Sequence, residues 1–334
     1  MSPARSTESG PLPPRIVVIG GGTGSFTVLR GLTHHADDLA AIVTVMDSGG
    51  SSGRLRDEFG ALPTGDIRRC LVALSPDDAA GLQLRRLFEY RFERGEGLNG
   101  HSFGNLFLTA LADIAGGLVP AIEAATSVLN VRGRVIPVTL DDVHLCAELE
   151  DGTAIRGESR IDVREIRPEV PIARVFLDPA GRANPAALEA IAAADLIVIG
   201  PGDLYTSIIP NLLIDGVAEA INEAPGRLAY VCNIMTKRGE TDGYVASGFA
   251  ARIAEYLRRE RLDYVLVNDG PIPDEIRRRY AAEDAVPVGI DDRLGDVAEH
   301  VVAADLVSRG DYARHDSERL ARCLVAIPAA LPLG

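Results

Sequence analysis

The chain of 334 residues has no tryptophan, four cysteines and a single lysine, Lys237. Each shortage excludes something. Cys70, Cys146, Cys232 and Cys323 form no Cys-x-x-Cys pair and keep no regular spacing. That argues against a zinc site or a disulfide framework and fits a reducing, cytoplasmic setting. Apolar runs such as Leu196–Ile199 stop far short of the roughly 20 residues a membrane helix needs, so no membrane insertion is expected. The opening "MSPARSTESGPLPP" lacks the apolar core of a secretory signal and reads as a disordered tail over residues 1–14. Positive charge is outnumbered, with a net charge of −14, which argues against nucleic acid or an anionic membrane as partner.

Hydrophobic residues, at 46%, are ample for a sizeable core, and 34 glycines punctuate them. Short apolar runs recur at Ile16–Ile19, Ala41–Val45, Leu196–Ile199, Leu228–Val231 and Tyr264–Val267, with helical patterns between several of them. This alternation predicts an α/β fold built on a doubly wound, mostly parallel sheet with helices on both faces. In such sheets ligands bind beyond the carboxyl ends of the strands, where the strand order reverses. The stretch Val131–Val163 departs from the pattern: it is rich in β-branched residues and carries Asp151-Gly152, a hairpin turn signal. It predicts a small antiparallel β insertion, at about 131–175, within one domain spanning 15–334. Asp66 and Ser102 read as N-caps of the helices that follow them.

Four polar loops follow strands. The first, Gly20-Gly21-Gly22-Thr23-Gly24-Ser25, lets backbone approach a phosphate at a helix N-terminus. No Lys-Ser/Thr pair follows, so it is not a Walker A loop, and Ser25 stands where a dinucleotide fingerprint needs its third glycine. Asp47 lies where an acid meets a ribose in dinucleotide sites, but it opens a second dense loop, "DSGGSSGRLR", with Gly49, Gly50, Ser51, Ser52, Arg54 and Arg56. Hydroxyls, bare amides and guanidinium groups together suit a diphosphate. The third loop, Gly-Pro-Gly at 200–202, brings Gly202, Asp203, Tyr205, Thr206 and Ser207; the fourth brings Asn233, Thr236, Lys237, Glu240, Thr241 and Asp242. His101 reads equally as an acid–base group or a structural histidine. Arg68 and Arg69 read equally as phosphate contacts or surface partners of Asp57 and Glu58.

The stretches GGGTGSFTVLRGL, AIVTVMDSGGSSGRLRDEFGALPTGDIRRCLVAL, GEGLNGHSFGNLFLTAL, VLNVRGRVIPVT, ADLIVIGPGDLYTSIIPNLL and NIMTKRGETDGY follow one another in this order. Together they resemble the YvcK-type gluconeogenesis factor family, which is similar in fold to CofD, the 2-phospho-L-lactate transferase. The resemblance implies a Rossmann-like core and a cytoplasmic protein needed for normal cell shape and for growth on gluconeogenic carbon sources. It implies UDP-N-acetylglucosamine or a related UDP-sugar as ligand, without an established reaction; the alternative is a CofD-like transfer of a phospholactyl-type group to an acceptor hydroxyl. By the same resemblance Gly21, Gly22, Thr23 and Gly24 fall in the first nucleotide loop. Asp47, Gly49, Gly50, Ser51 and Ser52 fall in the second. Asn105 corresponds to a polar residue at a helix start, and Tyr280 and Arg314 to a tyrosine and an arginine that contact the UDP-sugar. A homodimer stays open, as does a protein partner in cell-wall regulation. Where the family usually has a second acid, this chain has Ser48, which weakens the case for a bound divalent cation without removing it.

Overall fold

The computed structural model describes residues 13–329. Of the tail expected over residues 1–14, residues 1–12 lie outside the described part, and Pro13 and Pro14 have no regular structure. Ten strands follow in chain order: β1 (Arg15–Gly20), β2 (Asp38–Val43), β3 (Arg134–Pro137), β4 (His144–Leu149), β5 (Ala154–Arg156), β6 (Ile172–Asp178), β7 (Leu196–Ile199), β8 (Arg227–Val231), β9 (Leu262–Asn268) and β10 (Ala298–Ala304).

Seven of them form one sheet in the order β10-β9-β8-β7-β1-β2-β3, and every pairing in it is parallel. The sequence reason is visible in β1, whose residues Ile16–Gly20 are all buried. A strand covered on both faces needs apolar side chains at successive positions rather than alternate ones. Val17 and Ile19 enter the core on one face, with the helices Pro185–Ala193, Val217–Glu223 and Ala246–Leu257. Ile16 and Val18 enter the core on the other, with Gly22–Leu32, Gly65–Ala73 and Ser317–Ala329.

The three remaining strands form an antiparallel sheet, β5-β4-β6. Asp151 and Gly152 make the expected turn: Gly152 adopts φ +82° and its N–H donates to the Leu149 carbonyl at 2.9 Å. The insertion is shorter at its start than the sequence predicts, since β3 pairs parallel with β2 at the edge of the large sheet. A β-branched run reads alike in either sheet; only the partner decides. Leu145, Ala147, Leu149 and Ile155 anchor the small sheet on the core that contains Val17 and Ile19.

Strand order reverses at β1, with the next strand in the chain on one side and β7 on the other. Here the first and third glycine loops meet: a methyl group placed on Gly24 would overlap the Pro201 carbonyl. Among the described residues, no single helix is long and apolar enough to cross a membrane.

Candidate functional site

Loops after β1, β2, β7 and β8 converge at the carboxyl edge of the sheet around a cleft with two lobes. The narrower, about 490 Å³, is lined by Gly21, Gly22, Thr23, Gly24, Asp47, Gly49, Gly50, Asp66, Arg69 and Glu158, among others. The wider, about 760 Å³, is lined by Asn233, Thr236, Lys237, Tyr280, Arg314 and His315, with Arg164 from the insertion. Thr23, Gly24, Asp162, Val163, Gly202 and Asp203 line both, so the lobes are continuous across the switch point.

Two helix N-termini open on the narrower lobe. Gly21 caps Gly22–Leu32 and Gly49 caps the helix Gly50–Phe59, and neither cap bears a side-chain hydrogen bond among the described residues. Of their first-turn N–H groups that of Gly22 donates to Asp66, and the positive end of each helix dipole is directed at the lobe. Gly22 holds φ +65° and Gly50 φ +47°, where a Cβ is strained. Arg69 reaches the same lobe: a Cβ on Gly22 would meet its Nη1 at 3.4 Å.

Carboxylates share this lobe. Asp66 is not the cap expected from the sequence; Thr64 holds that position, and Asp66 sits in the first turn of Gly65–Ala73. It accepts from the Gly22 backbone N–H, while burial, with Asp47 adding to it, pushes it up to about 6. Glu158, from the insertion, accepts from the Ser48 N–H at 3.3 Å and is pushed up to about 8 by burial, then by Asp47 and Asp162. Asp47, which disfavours the charge on Asp66, supplies with it hard oxygen donors that fit a divalent cation on chemical grounds. A second acidic group, Asp162, Asp203 and Glu240, is close-set enough to share an ion. Its centre is already taken: Lys237 Nζ pairs with Asp162, with Asp203 at 2.9 Å and with Glu240 at 2.8 Å. Those three carboxylates hold the ammonium well above the ordinary lysine range against the burial that opposes it.

Four residues expected at the ligand lie behind the cleft wall. Ser51 Oγ shares a 3.1 Å hydrogen bond with His101 Nδ1, and Ser52 Oγ accepts from Asn105 Nδ2 at 3.2 Å. Asn105 Oδ1 accepts in turn from Arg68 Nε at 2.9 Å. These buried side chains fix the second loop, which meets the cleft through Asp47, Gly49 and Gly50. Tyr205 is fully buried, its hydroxyl 2.8 Å from that of Tyr244. Arg54 and Arg56 turn away, to the Asn99 carbonyl and to Asp142. Ser102 does cap its helix, accepting from Asn105 N–H at 3.3 Å.

The insertion's share of the site escaped the sequence reading. Its helix Glu158–Asp162 crosses the cleft: Ser159 N–H donates to Ser48 Oγ at 3.0 Å at one end, and Asp162 meets Lys237 at the other. The signal was present as "GESRIDVRE", a charged run directly after the hairpin, but it matches no motif.

A glycine-loop α/β cleft of this topology marks a class of protein, and similarity narrows it. The family model for 2-phospho-L-lactate transferase CofD matches residues 16–307. A putative gluconeogenesis factor of Nostoc sp. is 48% identical over 317 residues, 93% of this chain and 68% of that protein. The gluconeogenesis factor of Bacillus subtilis is 44% identical over 315 residues, 93% of this chain and 97% of that one. A crystal structure of a Bacillus halodurans protein superposes with a TM-score of 0.87 at 43% identity, covering 94% of this chain and 99% of the other. A second, described as a UPF0052 family member, gives 0.88 at 42% over 95% and 100%. The chain belongs to the CofD family and, within it, to the YvcK-type gluconeogenesis factors.

Proposed function

We propose that this gluconeogenesis factor binds a UDP-sugar, UDP-N-acetylglucosamine, across both lobes and acts through that binding on cell shape and on growth with gluconeogenic carbon. The diphosphate lies on the glycine loops, against the N-termini of Gly22–Leu32 and Gly50–Phe59. The uridine and sugar extend past Gly24 and Gly202 toward Tyr280 and Arg314. One observation carries this reading: a single cleft joins the two glycine-capped helix N-termini to an aromatic ring and a guanidinium of the wider lobe. A phosphate cradle alone does not discriminate among diphosphates, whereas a ring that stacks and a planar cation do.

A ligand that binds only the folded state stabilises it by mass action. UDP-N-acetylglucosamine is therefore expected to raise the melting temperature more than NAD or ATP at equal concentration. NAD as the best stabiliser would overturn the reading.

The carboxylates of the narrower lobe favour a second reading, a CofD-like transfer. An acceptor hydroxyl would attack a phosphorus of the nucleotide-activated donor, lose its proton to a carboxylate, and expel the nucleoside monophosphate. Asp47 and Asp66 would hold the cation, which would neutralise phosphate charge. Phosphorus NMR of the protein with UDP-N-acetylglucosamine, magnesium and a polyol as acceptor hydroxyl separates the two readings: appearance of UMP supports transfer.

A further inference from the structure

Four of the buried side-chain atoms that lack a hydrogen-bond partner among the described residues belong to the wider lobe. They are Nε and Nη1 of Arg164, Oδ1 of Asn233 and Nε2 of His315. Arg164 and His315 are each only 8% exposed. The three residues come from separate places in the chain: the insertion, the loop after β8 and the segment before the last helix. Orphaned buried polar atoms are costly and rare in folded proteins. Packing within any one element does not explain why three such side chains line the same lobe. A ligand that completes their hydrogen bonds does.

Their chemistry is directional. Arg164 anchors itself through Nη2, which donates to the carbonyls of Pro168 at 2.8 Å and Val170 at 2.7 Å, so its orphaned nitrogens remain as donors. His315 is neutral, because burial drops it to about 4 against the opposing pull of a hydrogen bond with the Cys232 backbone. A neutral ring that gives its proton to that carbonyl keeps a lone pair on Nε2. Asn233 Oδ1 is an acceptor as well. The lobe thus presents two acceptors and one fixed donor group.

We propose that His315 is a specificity-determining residue of the cleft, forming with Asn233 Oδ1 an acceptor pair that takes hydrogen bonds from the donor-bearing uridine half of the ligand. This rests on the UDP-sugar reading and names the groups that select the nucleoside. Uridine offers donors of one chemistry from two sources, the imide N–H of uracil and the ribose hydroxyls. Arg164 faces an acceptor of the same nucleoside. A site built to receive a donor rejects an analogue without it, because its own buried acceptors are then left unpaired.

The test is calorimetric titration of the full chain and of His315→Ala and His315→Gln with UDP, 3-methyl-UDP and 2′,3′-dideoxy-UDP. The wild type is expected to lose about tenfold in affinity for one analogue, which identifies the source of the donor. His315→Ala should lose about as much for UDP itself and no longer distinguish that analogue. His315→Gln, which retains an acceptor, should recover part of both. Folded His315→Ala with wild-type affinity and discrimination would overturn the proposal. If that variant does not fold, wild type that tolerates both analogues overturns it equally. Should the wild type bind neither UDP nor UDP-N-acetylglucosamine, the UDP-sugar reading fails separately. Repeating the variants with NAD and ATP then decides whether His315 is a ligand acceptor at all.

Discussion

At the scale of single residues, Gly24 and Arg314 make opposite demands. A Cβ on Gly24 collides with backbone, the Pro201 carbonyl, which has no rotamer to escape into. Gly24→Ala is therefore expected to destabilise the fold by about 1–3 kcal/mol, the cost of overpacking, measured by urea denaturation without ligand. Arg314 is exposed and stacks 5.1 Å above the Tyr312 ring, so Arg314→Ala should leave the melting temperature nearly unchanged. It should weaken UDP-sugar binding by about 1–3 kcal/mol in calorimetry, the cost of a lost polar partner. Tyr280 is less clean, since it packs against Ile234, Met235 and Val307, and its replacement should lower stability and affinity together. The glycines and Asp47 were legible in the sequence because special backbone and a strand-end acid leave marks of their own. Ser51, Ser52, Asn105 and Tyr205 carry the same residue types as ligand contacts but spend their polar atoms on buried neighbours: Ser51 on His101, Ser52 and Asn105 on each other, Tyr205 on Tyr244. Sequence does not show which way a side chain in a glycine loop points.

At the scale of elements, Lys237 ties the insertion to the sheet. It pairs with Asp162 of the insertion helix, Asp203 after β7 and Glu240 after β8, and Glu240 is buried. Removing the ammonium leaves three carboxylates facing each other. Lys237→Met should cost about 3 kcal/mol, as for breaking a buried pair, read from urea denaturation. The freed carboxylates suit a hard cation, so calcium should raise the melting temperature of the variant more than that of the wild type. Equal responses would show that the acidic groups relax apart. The elements themselves divide into those the sequence announced and those it hid. β1, β2, β7, β8 and β9 were readable as near-continuous apolar runs, being covered on both faces. β10 is an edge strand with exposed residues at Glu299, His300 and Val301, and it leaves no such run. β3 was legible as a strand, but its partner was not. The insertion was found from its turn, while its contribution to the cleft depends on tertiary placement that no local pattern encodes.

For the molecule as a whole, the carboxylates gathered at the cleft set how stability follows pH. Glu158 titrates near 8 and Asp66 near 6 in the folded state, raised chiefly by burial, whereas unfolded carboxyls release their protons near 4. Between those limits the folded chain binds more protons than the unfolded one, so these groups lower stability as pH rises. His315 acts in the opposite sense: its folded ring protonates only near 4, and the unfolded ring does so near 6.5, so its contribution grows between those values. The two effects oppose each other below about pH 6.5. Above it His315 is neutral in both states, and Glu158 remains, with Glu240, which burial pushes up to about 7 against the pull of Lys237. Stability is therefore expected to fall between about pH 6.5 and 8, by at most about 1.4 kcal/mol per pH unit for each proton. Urea denaturation across that interval, with chelator present to keep cations off Asp47 and Asp66, measures the slope. Glu158→Gln, which keeps the carbonyl that accepts from Ser48 N–H and cannot ionise, should reduce it and leave the share of Glu240. A slope unchanged in that variant would assign the proton to another group and remove Glu158 from the account.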